Sequence, residues 1–238
     1  VNTVCIVWTG DDIMKILKLF PMSVYIGDVT FSDELLVHLK GLDQQKIIYS
    51  GSYNGNITND KQVLNHDICT PLKEQVQAGL DEFILNYYKV KFDGNFFVHR
   101  SWVLEHQPDH WSQAHSHPNS ILSGVLYLDV PEGSGEIQFH KPDNYHNWIN
   151  TDTLRFMVNE WYEYNCDTWS MPPQTGQMFI FPSHLRHSVD TNVTKESRWS
   201  LAFDCFLEGL LDSGDPATRG PRITREDGER MADLPYPP

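Results

Sequence analysis

The apolar positions along the chain change period several times, and the changes mark its elements. Residues 24–29 (VYIGDV) read as a first strand. Ser32 then stands where a helix cap belongs, with Asp33 and Glu34 in the first turn, where the helix dipole favours negative charge. Leu35, Leu36 and Leu39 complete one apolar stripe. From 47 to 70 the chain is polar and rich in Gly, Asn and Asp, which signals a loop or hairpin more than core. Thr70 as cap and Pro71 at the first helical position open a longer helix, in which Leu72, Val76, Leu80, Phe83, Ile84 and Tyr87 recur at helical spacing up to about Val90. Asp93-Gly94 turns the chain into FFVHRSWVLEH, and short strands follow: SGVLYL (123–128), GEIQFHKP (135–142), an apolar strand after Gly176, and RWSLAF from Arg198.

Three stretches break the pattern. The N-terminal residues 1–13 look unlike the rest, and Met14 would make a natural beginning, so they read as an extension. Residues 144–169 are dense in aromatics, have neither clean period, and balance evenly between an active-site lid and a packing excursion. Beyond Phe206 the chain is rich in Pro, Gly and charge and poor in large apolar side chains, so residues 211–238 are expected to form a mobile tail or an arm on a partner. One domain, 14–210, is left between the two ends.

Composition narrows the function. A chain of 238 residues can bury one sizeable core. Its formal charge of −14, with no clustered basic stripe, argues against nucleic acid. No apolar run approaches the roughly 20 residues of a membrane span, and no signal peptide is evident, so a cytoplasmic protein is expected. Cys5, Cys69, Cys166 and Cys205 lie far apart without a C-x-x-C pair, the pattern of reduced, mostly buried thiols.

The chemistry concentrates in two stretches. In an extended strand the side chains at i and i+2 share a side, so His115 and His117 of HSHPNS would point into one space. His187 follows a second apolar strand and a proline-broken loop. His184 competes with it, but His184 falls at the loop apex while His187 leads straight into the next segment. Three imidazoles with open positions suit a non-haem iron site. Arg198 and Ser200 alternate with Trp199 and Leu201, and a buried strand excludes Arg unless an anion awaits it. That pair would form a carboxylate clamp.

Taken together, HSHPNS-x-x-SG-x-x-YL, then G-x-x-x-x-FPS-x-x-x-HSV, then R-x-S resembles the iron(II)/2-oxoglutarate-dependent oxygenases related to the prolyl 4-hydroxylases. The likeness covers roughly Trp102 to Phe206. It implies a mainly β fold, a double-stranded β-helix (cupin-like jelly-roll) preceded by two or more packing helices. It implies Fe(II), 2-oxoglutarate and O2 as cofactors, with His115, His117 and His187 on the metal. Arg198 and Ser200 would hold the distal carboxylate of 2-oxoglutarate, joined by the hydroxyl of Tyr127. Most of the wider superfamily carries Asp or Glu where this chain has His117, and Glu136 is the alternative source of a carboxylate.

The reaction implied is hydroxylation of a C–H bond with decarboxylation of 2-oxoglutarate to succinate. The rivals are a three-His dioxygenase that does not use 2-oxoglutarate and a non-catalytic cupin-like metal-binding module. The substrate is expected to be a small molecule or a protein side chain, without nucleic acid or membrane, and a homodimer is left open.

Overall fold

The computed structural model describes residues 22–49, 52–142, 157–162, 165–211 and 220–233. The N-terminal extension and most of the expected lid segment lie outside these residues.

Among the described residues, twelve strands form two antiparallel sheets. The larger has the order β1 (Tyr25–Asp28), β9 (Gln177–Pro182), β6 (Leu122–Asp129), β11 (Arg198–Leu210), β4 (Asp93–His106), β3 (Ser52–Thr58) and β2 (Gln44–Tyr49), and the short β12 (Arg222–Ile223) pairs with β11. The smaller has the order β5 (Ser112–His115), β10 (His187–Val189), β7 (Ile137–His140) and β8 (Thr168–Met171). The fold is the mainly β jelly-roll expected, with helices α1 (Asp33–Lys40) and α2 (Thr70–Asp81) preceding most of the barrel strands.

Period-2 alternation sorts the strands' side chains between two cores. Met178, Ile180, Leu126, Leu128, Leu201 and Phe203 face outward, where they pack with Leu35 and Leu39 of α1 and Leu72, Val76 and Leu80 of α2. Each such fully buried side chain contributes about 1.5–3 kcal/mol. Tyr127, Phe179 and Phe181 face inward and meet Ile137, Phe139 and Leu185 between the sheets. The inward face of β11 is different in kind, carrying Arg198, Ser200, Ala202 and Asp204, each opposite an inward residue of β4: His106, Leu104, Trp102 and Arg100. The barrel therefore has an apolar wall and a polar one.

Ser32 caps α1, its hydroxyl accepting from Leu35 N at 3.2 Å. Thr70 differs from expectation: a 3-10 turn over Asp67–Cys69 makes Cys69 the cap without a side-chain bond, and Thr70 is already helical. The helical run then continues past α2 as a π-helical segment, Glu82–Tyr87. The polar stretch after 47 contributes to the hairpin β2–β3, which extends the larger sheet through β3–β4 pairing.

The mobile tail expected from residue 211 is corrected over residues 220–233. There β12 pairs with Gly209 and Leu210, and α3 (Arg225–Asp233) docks on β4 and β11. The docking does not need large apolar side chains. Arg225 lies 4.2 Å over the Phe97 ring and donates twice to Glu208, while Gly228, whose Cβ would come within 2.8 Å of Phe97, lets the helix backbone reach the sheet. Cys69 and Cys205 are buried free thiols.

Candidate metal and co-substrate site

His115, His117 and His187 converge at one end of the barrel, with one ligand atom from each lying within 4.8 Å of the others. Their ring centroids are separated by 5.1 Å (His115–His117), 4.4 Å (His115–His187) and 5.1 Å (His117–His187). His187 starts β10, directly opposite His115 at the end of β5. His117 corrects the strand argument, because β5 stops at His115 and His117 lies in the following loop. It is held there by its own contacts: its backbone N–H donates to Ser183 O at 2.9 Å.

In all three rings Nδ1 is occupied by a fixed oxygen. His115 Nδ1 donates to Gln113 O at 2.8 Å, His187 Nδ1 to Leu185 O at 3.0 Å and His117 Nδ1 to Asp204 Oδ1 at 2.7 Å. A carbonyl or carboxylate oxygen can only accept, so each proton sits on Nδ1 and each Nε2 keeps its lone pair for a metal. Burial, reinforced by the neighbouring imidazoles, lowers the pKa of His115 and holds that of His187 well below its ordinary value. Both are thus neutral ligands in waiting. Phe181 packs edge-on against His187 at 4.7 Å, and Trp102 stacks on His117 at 5.9 Å.

Asp204 is the residue that sequence reasoning missed. It is fully buried and accepts from His117, from Arg100 Nη2 at 2.5 Å and from Ser123 Oγ at 2.7 Å. Burial alone would push its carboxyl up, but the His117 bond, together with Arg100 and Ser123, outweighs burial and holds it at about 2. The signal was available, since Asp204 continues the i, i+2 series begun by Arg198 and Ser200. Glu136 does not join the imidazoles; it accepts from Ser170 at the other side of β7. His184 is exposed and outside the cluster.

Arg198 is 1 % exposed, yet no carboxylate among the described residues lies within ion-pair distance of it. Its Nη1 donates to Ser134 O at 2.6 Å and Gly135 O at 3.0 Å, while Nε is buried without a partner. Two more orphaned buried atoms belong to its neighbours, Ser134 Oγ and Nδ1 of His106, which pairs with Arg198 across β4 and β11. An uncompensated guanidinium among unsatisfied polar atoms is costly, and a bound carboxylate would relieve it. Ser200 lies next to Arg198 on the same face, in register with Tyr127 on β6, and Tyr127 is buried with its hydroxyl pushed up to about 12. The orphaned donors fit 2-oxoglutarate, and the three-imidazole donor set fits Fe(II).

Comparison with known proteins agrees with this geometry. Residues 100–204 match the family model described as "Putative 2OG-Fe(II) oxygenase". No curated protein matches the chain significantly. Among solved structures, an oxidoreductase of the 2OG-Fe(II) oxygenase family from Burkholderia pseudomallei is 14 % identical with a TM-score of 0.53, covering 76 % of this chain and 84 % of its own. The non-heme alpha ketoglutarate dependent epimerase SnoN from nogalamycin biosynthesis is 14 % identical with a TM-score of 0.56, covering 87 % and 90 %. HygX from Streptomyces hygroscopicus, solved with nickel and 2-oxoglutarate bound, is 12 % identical with a TM-score of 0.51, covering 85 % and 92 %. At such identities these structures establish the fold alone. Over residues 100–204, which carry the histidine cluster and most of the barrel strands, the chain is similar to the 2OG-Fe(II) oxygenases.

Proposed function

We propose that the chain is an Fe(II)- and 2-oxoglutarate-dependent dioxygenase that hydroxylates a C–H bond of its substrate and converts 2-oxoglutarate to succinate and CO2. His115, His117 and His187 hold the metal through Nε2. Arg198 and Ser200 bind the distal carboxylate of 2-oxoglutarate, with Tyr127 contributing a neutral hydroxyl donor. The metal and co-substrate together supply O2 activation and two electrons from the keto acid. The protein's own work is positioning: the three Nδ1 bonds fix the imidazoles, Phe139 and Phe181 pack against His187, and Trp102 stacks on His117.

The observation that carries this reading is Arg198, buried and without an acid partner among the described residues. A three-His dioxygenase that does not use 2-oxoglutarate, or a cupin-like module with a structural metal, would have no use for a guanidinium kept unpaired inside the barrel.

The test is release of labelled CO2 from 1-14C-2-oxoglutarate by protein supplied with Fe(II) and ascorbate. Release above background that is lost in His187→Ala and kept in His184→Ala supports the reading. No release from protein that retains stoichiometric iron would contradict it.

A further inference from the structure

Beside the His115 imidazole the barrel opens into a cavity of about 510 Å3 lined by His115, Ser116, Lys141, Pro142, His184 and Arg186. Among the described residues the lining holds two cations and an exposed imidazole but no carboxylate. That runs against the chain as a whole, which has 18 Lys and Arg against 32 Asp and Glu.

Local alternation produces this arrangement. Along HLRH, Leu185 and His187 are buried at 4 % and 5 %, whereas His184 and Arg186 are exposed. The same backbone that delivers His187 to the metal cluster therefore turns Arg186 to the mouth. Lys141 follows β7 and is steadied by Asp167, whose carboxylate accepts from its Nζ at 2.6 Å. Arg186 has no side-chain hydrogen bond or ion pair with any described residue. It is also separate from the interior clamp, because Arg198 is buried against Ser134 and Gly135 and does not line this cavity.

We propose that Lys141, His184 and Arg186 form an oxyanion subsite that holds a phosphate or carboxylate group of a small-molecule primary substrate, with the rest of the substrate directed at the His115 face of the cluster. The reaction at that face rests on the dioxygenase reading; binding of the anion does not. The cavity volume suits a small ligand, whose pockets run from roughly 300 to 1,000 Å3. A planar guanidinium beside an ammonium is well matched to two oxygens of an oxyanion. On a surface of net negative charge a cationic mouth also concentrates anions locally, where the remainder of the protein repels them.

Inorganic phosphate and acetate serve as the probes. In Mn(II)-loaded protein saturated with 2-oxoglutarate, the paramagnetic ion should accelerate 31P relaxation of phosphate or 13C relaxation of acetate. The stronger of the two responses identifies the anion carried by the substrate. Arg186→Gln and Lys141→Glu should each weaken that probe's apparent affinity about tenfold, and Lys91→Glu, a distant exposed cation, should not. Equilibrium dialysis of labelled phosphate and acetate, which needs no metal, gives the same comparison. Two results overturn the subsite: affinities unchanged in Arg186→Gln, or displacement of both probes by 2-oxoglutarate, which would assign these cations to the co-substrate. Failure of the dioxygenase reading would appear separately, as a protein that binds the anion at Arg186 yet releases no CO2 from 2-oxoglutarate.

Discussion

His117 Nδ1 donates to Asp204 Oδ1 at 2.7 Å, between side chains 8 % and 0 % exposed. Asp204 thereby does for His117 what backbone carbonyls do for His115 and His187. It differs in carrying charge, and Arg100 balances that charge from β4. Asp204 thus stands behind an imidazole of the cluster and not in the cluster itself.

Asp204→Ala should therefore weaken Fe(II) or Mn(II) binding about 10–100-fold, the usual effect of removing the partner behind a ligating histidine. It should also destabilise the fold by roughly 3–5 kcal/mol, because Arg100 and His117 both lose their buried carboxylate partner. The double variant Asp204→Ala/Arg100→Met should recover much of the stability without recovering metal affinity. Equilibrium dialysis and urea denaturation read the two effects separately. Unchanged metal affinity in a folded Asp204→Ala protein would remove Asp204 from the site.

Gly135 is the second position where a small change should act at a distance. Its φ is +95°, and a Cβ would lie 2.4 Å from Asp190 O and 2.9 Å from Arg198 Nη1. Alanine there is strained on its own backbone and also pushes the guanidinium off its anchor. Gly135→Ala should weaken 2-oxoglutarate binding by about tenfold, equivalent to roughly 1.4 kcal/mol, with metal content preserved. Equal 2-oxoglutarate affinity in the two proteins would show that the Ser134–Gly135 turn does not set the position of Arg198.

Much of this was legible in the chain. The strands that form the barrel announce themselves because inward and outward residues alternate over a solid core, as in Gln177–Pro182. The three histidines and Arg198 were visible because imidazoles at close spacing and a cation inside an apolar strand are both uncommon. What escaped notice depends on pairing across strands. Asp204 and Arg100 are ordinary charged residues until β4 and β11 set them face to face, and His106 becomes significant only opposite Arg198. The helix α3 escaped because composition measures apolar content, whereas it docks through Arg225–Glu208 and a close-approaching glycine. The i, i+2 argument singled out His115 and His117, which lie together in the cluster although only His115 is in a strand.

His106 gives the fold a pH dependence of definite sign. It is 1 % exposed, and burial, then the Arg198 charge, then His110, hold its pKa well below its ordinary value. The unfolded chain takes up a proton near pH 6.5 that the folded chain refuses. Stability is therefore highest above that pH and falls as the pH drops below it, by up to about 1.4 kcal/mol per unit for this one group. Urea midpoints at pH 7.5 and 5.5 measure the fall, and His106→Gln should make it shallower. A slope identical in the two proteins would mean that His106 is protonated in both states or in neither.

The central claim is that Arg198 waits for the distal carboxylate of 2-oxoglutarate chelated at the three histidines. Anaerobic titration of 2-oxoglutarate into the Fe(II) protein, followed by the visible absorption of the keto-acid chelate, measures it directly. Wild-type protein should give a saturable band. Arg198→Ala should need about a hundred- to thousandfold more 2-oxoglutarate, the equivalent of roughly 3–5 kcal/mol for an unmatched buried charge, with iron content near normal. Arg198→Lys should recover only part of the loss, keeping the charge without the planar fork. Equal affinities in wild type and Arg198→Ala, or no band in iron-replete wild type, would contradict the account and make a dioxygenase independent of 2-oxoglutarate the better description.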